Sequence, residues 1–203
     1  MNTEMDIRAL ILHPGPYPLF FSVVVGIWIV SEIIGGVIIP SRRRKGRSVQ
    51  QRQGRLNVIA WLDFEVVIAA SVLLAVFSVS VLPAWAYFLG AALILLGVTV
   101  RQWAIAVLGR YFSNVIGIQK GQKIVQSGPY RLVRHPSYTG VLLIQLGIAF
   151  AFQSWAAVLV AVTAFGIAYG HRMLSEERFL TRELGDIYAD YCRHTKRLLP
   201  FLL

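Results

Sequence analysis

Apolar residues in this chain gather into five long stretches, at roughly 19–39, 57–82, 84–108, 138–152 and 155–170. A helix needs about 20 apolar residues to cross the hydrocarbon core of a bilayer, so the first three stretches predict spanning helices. The fourth and fifth are shorter. Only Gln153-Ser154 separates them, which predicts a tight helical hairpin. Further on, Leu174, Phe179, Leu180, Leu184, Ile187, Tyr188 and Tyr191 recur at near-helical spacing. They predict an amphipathic helix over 173–193, lying on the membrane surface or folded back on the bundle, with Gly185 as a point of breakage. The expected fold is an all-α polytopic membrane bundle of about five spans. It forms one domain over 1–203, with three N-terminal spans in 1–107 and the chemically rich region in 108–203.

Composition agrees with the pattern: 56% of residues are hydrophobic and 15% charged, where soluble domains carry about 25% charged residues. The net charge of +10 changes the picture only through its distribution. Arg42, Arg43, Arg44, Lys45, Arg47, Arg52 and Arg55 follow the first stretch; Arg110, Lys120, Lys123, Arg131 and Arg134 follow the third. Arg172, Arg178, Arg182, Arg193, Lys196 and Arg197 follow the fifth, while the connections around Pro83 and Gln153 carry no charge. Positive residues collect on the cytoplasmic side, so the N-terminus is expected outside, with the C-terminus and the polar loops inside. The basic excess reads as a topology signal and as attraction to anionic membrane lipids, about 1 kcal/mol per Lys or Arg near the surface. Nucleic acid is not the expected partner.

Residues 1–18 lack the basic n-region of a cleavable signal, so the first span is expected to be retained. The single cysteine, Cys192, leaves no intramolecular disulfide and no Cys-rich metal site, and no metal is expected. Three acidic residues, Glu32, Asp63 and Glu65, fall within or at the edge of apolar stretches. Charges there are costly, and pairing with nearby Arg side chains is the simplest expectation. Gly35-Gly36 suits close packing within or between chains, so the oligomeric state stays open.

The chemistry concentrates after Arg101. The loop at 128–140 reads Gly-Pro-Tyr-Arg-Leu-Val-Arg-His-Pro-Ser-Tyr-Thr-Gly. His135 before Pro136 is biased toward extended backbone, and Pro136 suits the first turn of the fourth helix. That placement leaves N–H groups at a helix start for an anion. Taken singly, His135 reads as a cap and Tyr130 and Tyr138 as interfacial aromatics; with Arg134 beside them, four such residues within nine positions suggest a site. Past the hairpin, Arg172 and Glu176 stand four apart and share a helix face. They fit either an ion pair or opposite ends of a site, with a carboxylate for a cationic cofactor and a guanidinium for an anionic acceptor.

The loop, the apolar hairpin, Glu176-Glu177, the Leu-Gly-Asp-x-Tyr-x-x-Tyr run from Leu184 and the final Arg197-x-x-Pro200 together resemble the isoprenylcysteine carboxyl methyltransferase family. That family belongs with the membrane phospholipid methyltransferases. The resemblance covers about 108–200. It implies a site for S-adenosylmethionine without a Rossmann domain, and no Gly-x-Gly-x-x-Gly follows a strand pattern here. By that resemblance Gln122, Lys123, Ile124, Val125 and Tyr130 would line the cofactor, although relatives usually carry His where Gln122 stands. His135, Pro136, Ser137 and Tyr138 would close over it, Glu176 would hold its amino group, and Arg172 would face the acceptor carboxylate.

The implied acceptor is lipophilic or lipidated, most simply a carboxylate of isoprenylcysteine type; a phospholipid amine or small thiol stays open. An amine would need a base, for which His135 or Glu177 would serve. Two other classes compete. One is an NADPH-dependent membrane reductase of sterol-reductase type, disfavoured because two glutamates repel phosphates. The other is a non-catalytic scaffold that binds anionic lipid through its basic loops.

Overall fold

The computed structural model describes residues 16–34, 54–77, 82–112 and 124–198. They form six helices: α1 (Pro16–Glu32), α2 (Gly54–Val76), α3 (Trp85–Leu108), α4 (Pro136–Ala151), α5 (Trp155–Leu184) and α6 (Asp186–His194). Short 3-10 turns at Gly109–Tyr111 and Gly128–Arg131 flank the connection between α3 and α4. Among the described residues there is no strand, only an isolated parallel bridge between Val133 and Lys196. Gln122, Lys123, Gly35-Gly36, the basic run at 41–53 and the tail beyond Leu198 lie outside the described residues.

The five expected spans appear as α1 to α5, and the hairpin turns where Gln153-Ser154 placed it. Gln153 adopts a left-handed φ of 54°, and Ser154 caps α5 by accepting from the Ala157 amide at 3.3 Å. The expectation that differs is the boundary after residue 170. The fifth span and the amphipathic helix are one unbroken 30-residue helix, α5. The change from all-round to one-sided hydrophobicity marks where the helix leaves the apolar layer, and nothing there interrupts the backbone ladder. The break comes at Gly185, whose φ of 55° is left-handed and whose amide returns to the Thr181 carbonyl at 3.0 Å.

The α3–α4 pair is the spine of the bundle. Gly90 faces Gly147 and Gly97 faces Gly140, so glycines one heptad apart on each helix meet in antiparallel register. A Cβ on Gly97 would stand 2.6 Å from the Gly140 carbonyl oxygen and 2.9 Å from the Ile144 amide. Bare backbone is what lets these helices approach so closely. Helix α1 packs on α3, while α2 packs on α5 and α4.

Polarity is arranged for lipid. Leu19, Leu62, Leu73, Leu96, Leu159 and Ile167 are exposed, whereas Asp63, Ser71 and Gln145 are buried. So much exposed apolar surface on α1, α2, α3 and α5 is a membrane-facing coat, and α3 and α5 are each long and apolar enough to span alone. At one end of the bundle Phe21 meets Phe152 at 6.0 Å, and the Leu82 amide donates to the Gln153 carbonyl at 2.7 Å. The polar groups collect at the other end. There Arg101 of α3 grips Glu32 through two hydrogen bonds, Nε to Oε1 at 2.5 Å and the terminal nitrogen to Oε2 at 2.9 Å. Glu32 thus pairs with an arginine as expected. Asp63 does not: its partner is Gln145, because α2 crosses α4 at that level. Glu65 is exposed.

Candidate active site

The site is assembled where α4 begins. Gly128 holds a left-handed φ of 57° and lies so close to Val107 that a Cβ would approach its Cγ2 at 3.0 Å. The 3-10 turn it opens buries Pro129 and Tyr130. The Tyr191 hydroxyl donates to the Tyr130 carbonyl at 2.8 Å, which ties the turn to α6. Next, the backbone of 132–135 runs beside the C-terminal segment 195–198. The Lys196 amide donates to Leu132, Arg134 to Lys196 and His135 to Arg197, at 3.2, 2.7 and 3.0 Å. The Thr139 hydroxyl adds a bond to the Leu198 carbonyl at 2.7 Å.

Pro136 occupies the first position of α4, as its fixed φ and missing N–H favour. His135 precedes it at φ −123° and ψ 54°, short of the fully extended backbone expected before proline. Its side chain does not cap the helix. Its carbonyl does the capping instead, accepting from the Tyr138 and Thr139 amides at 2.9 and 3.1 Å. The imidazole is thereby released to stack on Tyr138, with centroids 5.3 Å apart and planes 12° from parallel.

Four predicted residues converge. The Tyr138 hydroxyl donates to Glu176 Oε2 at 2.8 Å and accepts from Arg172 Nε at 2.8 Å. A phenol therefore stands between the guanidinium and the carboxylate that sequence spacing alone would have paired. His135 lies between the two glutamates. Its Nε2 reaches Glu177 Oε1 at 3.3 Å and its Nδ1 stands 4.0 Å from Glu176 Oε2. Ser137, on the next turn, accepts from Arg101 at 2.8 Å. Ile124 and Val125 are half-buried in irregular backbone ahead of the 3-10 turn.

The adjacent glutamates differ in wiring. Glu177 accepts from Arg134 Nε at 2.9 Å and from Arg197 Nε at 3.1 Å, besides its contact with His135. Burial pushes its carboxyl up, but the hydrogen bonds from His135, Arg197 and Arg134 outweigh that and hold it down at about 2. Glu176 is more open, 31% exposed at its side chain, and only its Oε2 is engaged among the described residues. Arg134 also donates to the Cys192 carbonyl at 3.0 Å and to that of Thr195, binding the C-terminal segment into the cluster. Burial raises the Cys192 thiol above its ordinary value, which suits a structural cysteine. A separate cleft of about 220 Å³ opens beside this cluster; Gln126, Tyr130, Arg131, Asp190, Tyr191 and Thr195 line it.

Sequence reasoning gave Arg134, Arg197 and Arg101 no role in building the site. Arg134 adjoins His135 and Arg197 recurs in the C-terminal motif, so both lay in view. Nothing in the spacing pointed Arg101 at Glu32, 69 residues earlier.

Fold and site together define an all-helical integral membrane protein with a charged and aromatic site at one end of its bundle. Residues 85–187 match the family model described as phospholipid methyltransferase, and the chain belongs to that family. Among relatives, it is 28% identical over 120 residues to protein-S-isoprenylcysteine O-methyltransferase B of Arabidopsis thaliana, covering 58% of this chain and 61% of that protein. It is 35% identical over 100 residues to the cobalt-zinc-cadmium resistance protein CzcN of Cupriavidus metallidurans, covering 49% of this chain and 46% of that one. The chain thus spans about three fifths of the Arabidopsis protein's length and under half of the bacterial one's. Its fold is similar to the solved eukaryotic intramembrane Ras methyltransferase, an isoprenylcysteine carboxyl methyltransferase. The TM-score is 0.66 and the identity 21%, over 94% of this chain and 70% of that one.

Proposed function

We propose that this protein is a membrane methyltransferase that takes its methyl group from S-adenosylmethionine and delivers it to a lipophilic acceptor, a carboxylate of isoprenylcysteine type. The observation that carries the reading is the Arg172–Tyr138–Glu176 chain, which sets a cation and an anion on either side of one phenol hydroxyl. A cationic donor and an anionic acceptor call for such a pair of opposite charges. The names of its relatives support the same direction.

The residues fit the cofactor. Glu176 has one carboxylate oxygen unengaged among the described residues, and a carboxylate is the partner that an ammonium or sulfonium group takes. When bound, S-adenosylmethionine supplies a methyl group activated by a sulfonium. Glu176 would hold its amino group. Ile124, Val125, Tyr130 and His135-Pro136-Ser137-Tyr138 would line it, with Gln122 and Lys123 from the connector. Arg172, buried and held by Tyr138, would orient the acceptor carboxylate. A carboxylate needs no proton removed, so His135 serves to orient Tyr138 and Glu176. Holding two reactants aligned in a dry site supplies about 7–11 kcal/mol. The basic residues at this end of the bundle support a cytoplasmic site by the positive-inside rule, with the acceptor arriving through the lipid-facing surface.

The reading is tested by titrating the detergent-purified protein with S-adenosylhomocysteine and, separately, NADPH, followed by transfer of labelled methyl to a farnesylated cysteine carboxylate. Binding of S-adenosylhomocysteine with labelling of the carboxylate supports it. Binding of NADPH alone would move the protein to the reductase class, and binding of neither would leave a scaffold. Labelling of a phosphatidylethanolamine amine in preference would overturn the carboxylate assignment.

A further inference from the structure

Asp63 and Gln145 meet where α2 crosses α4, 5% and 0% exposed. Gln145 Nε2 donates to Asp63 Oδ2. The two remaining oxygens, Asp63 Oδ1 and Gln145 Oε1, are buried without a hydrogen-bond partner among the described residues. Both are acceptors. Turning the Gln145 amide over only exchanges which carboxylate oxygen is served and leaves an acceptor facing an acceptor. Cations do not resolve this: Arg101 is paired with Glu32, and Arg134 and Arg197 with Glu177. On α5, Tyr169 belongs to the buried cluster against which Phe64, the neighbour of Asp63 on α2, packs; α1 contributes Trp28, which stacks on Phe64 and whose indole N–H is itself buried without a partner among the described residues. One proton on Oδ1 removes both deficits, because it turns the carboxyl into a donor toward Oε1.

We propose that Asp63 is held as a neutral carboxylic acid, its Oδ1–H donating to Gln145 Oε1 while Gln145 Nε2 donates to Oδ2, in a closed acid–amide pair that locks α2 to α4. The proton enters from water as the chain folds, one per molecule, and no charge is left on the buried pair. Gln145 lies on the same helix that begins at Pro136, so the lock fixes the register of the helix that carries His135 and Tyr138. Polar side chains buried between spans are well suited to setting register. The inference is independent of the methyltransferase reading.

Infrared spectroscopy of the full chain in lipid nanodiscs, with ¹³C-carboxyl aspartate, tests it at neutral pH. The expected result is a protonated-carboxyl C=O band that shifts with the label and is lost in Asp63→Asn. An asparagine reproduces the same reciprocal pattern, so this variant should melt within about 2 °C of the parent, no more than the shift from one kcal/mol in a chain this size. Should Asp63→Asn fail to fold, Gln145→Leu serves: it removes the acceptor and should move the band to higher frequency. Absence of the band from the parent protein, or a band unmoved by Gln145→Leu, overturns the proposal.

Discussion

Glu176 and Glu177 are neighbours of identical type, and neutralising each in turn separates site from scaffold. Either substitution, Glu176→Gln or Glu177→Gln, removes one negative charge from nearly the same place, so any general electrostatic effect is common to both. Glu176 has one oxygen on Tyr138 and stays 31% exposed at its side chain. A charge-assisted bond from it to a cofactor amine is worth about 1.5–3 kcal/mol. Its exposure argues for the lower half of that range, which corresponds to about 12- to 40-fold in Kd. Its loss should hardly move the melting temperature. Glu177 is 12% exposed at its side chain and is filled by Arg134, Arg197 and His135. Breaking a buried pair costs about 3–5 kcal/mol when the partner is stranded. Here Arg134 keeps its bonds to the Cys192 and Thr195 carbonyls, and Arg197 is half-exposed, so about 1.5–2.5 kcal/mol is expected. At about 2–4 °C per kcal/mol in a chain this size, the melting point should fall by about 3–10 °C. Calorimetric titration with S-adenosylhomocysteine and a thermal melt on the same preparations read both quantities. Unchanged affinity in Glu176→Gln would remove that residue from the cofactor site. An unchanged melt in Glu177→Gln would show that the arginine clamp contributes nothing to stability.

Arg172→Ala should retain S-adenosylhomocysteine binding while losing turnover of a carboxylate acceptor; equal loss of both in steady-state and binding assays would reduce Arg172 to a structural partner of Tyr138. Gly97→Ala should lower the melting temperature, because its Cβ would meet the Gly140 carbonyl at 2.6 Å and overpacking costs about 1–3 kcal/mol. The matched control Gly26→Ala, with nothing within 4 Å of its Cβ, should melt like the parent. Acid should act through Glu177, whose folded value of about 2 lies below its ordinary 4.5. That group's stabilisation is complete above pH 4.5 and fades between there and about pH 2. Melts taken across that window should show a fall that Glu177→Gln largely abolishes.

The bundle was legible because the bilayer imposes a strong rule: apolar stretches of sufficient length become helices, and the basic residues fell into alternate connections. The hairpin turn, the proline-started α4 and the break at Gly185 followed from local chemistry that single residues carry. The meeting of Tyr138 with both Arg172 and Glu176 was half visible, since helical spacing placed the last two on one face but could not insert a phenol from another helix. Contacts set by tertiary crossing were not legible. Glu32 with Arg101 and Asp63 with Gln145 join residues 69 and 82 apart. The glycine register of α3 and α4 did have a signal, two pairs each spaced by seven, which becomes readable only once those helices are taken as antiparallel neighbours.

The continuity of α5 explains how one helix serves two neighbours at the site. Arg172 and Glu176 are a turn apart and address Tyr138 on α4, while Glu177, rotated about 100° further, addresses Arg134 and Arg197 of the loop and the C-terminal strap. A joint near residue 170 would have let those two faces turn relative to the span below. Because the helix runs unbroken from Trp155 through both glutamates, their directions are fixed by the same packing that holds Phe165, Ala168, Tyr169 and Met173 against Val141. The Glu177 clamp then draws the strap onto the 132–135 backbone, which holds His135 against Tyr138. Loosening Glu177 should therefore disturb the site through His135 and leave Arg172, seated on α5 itself, where it was.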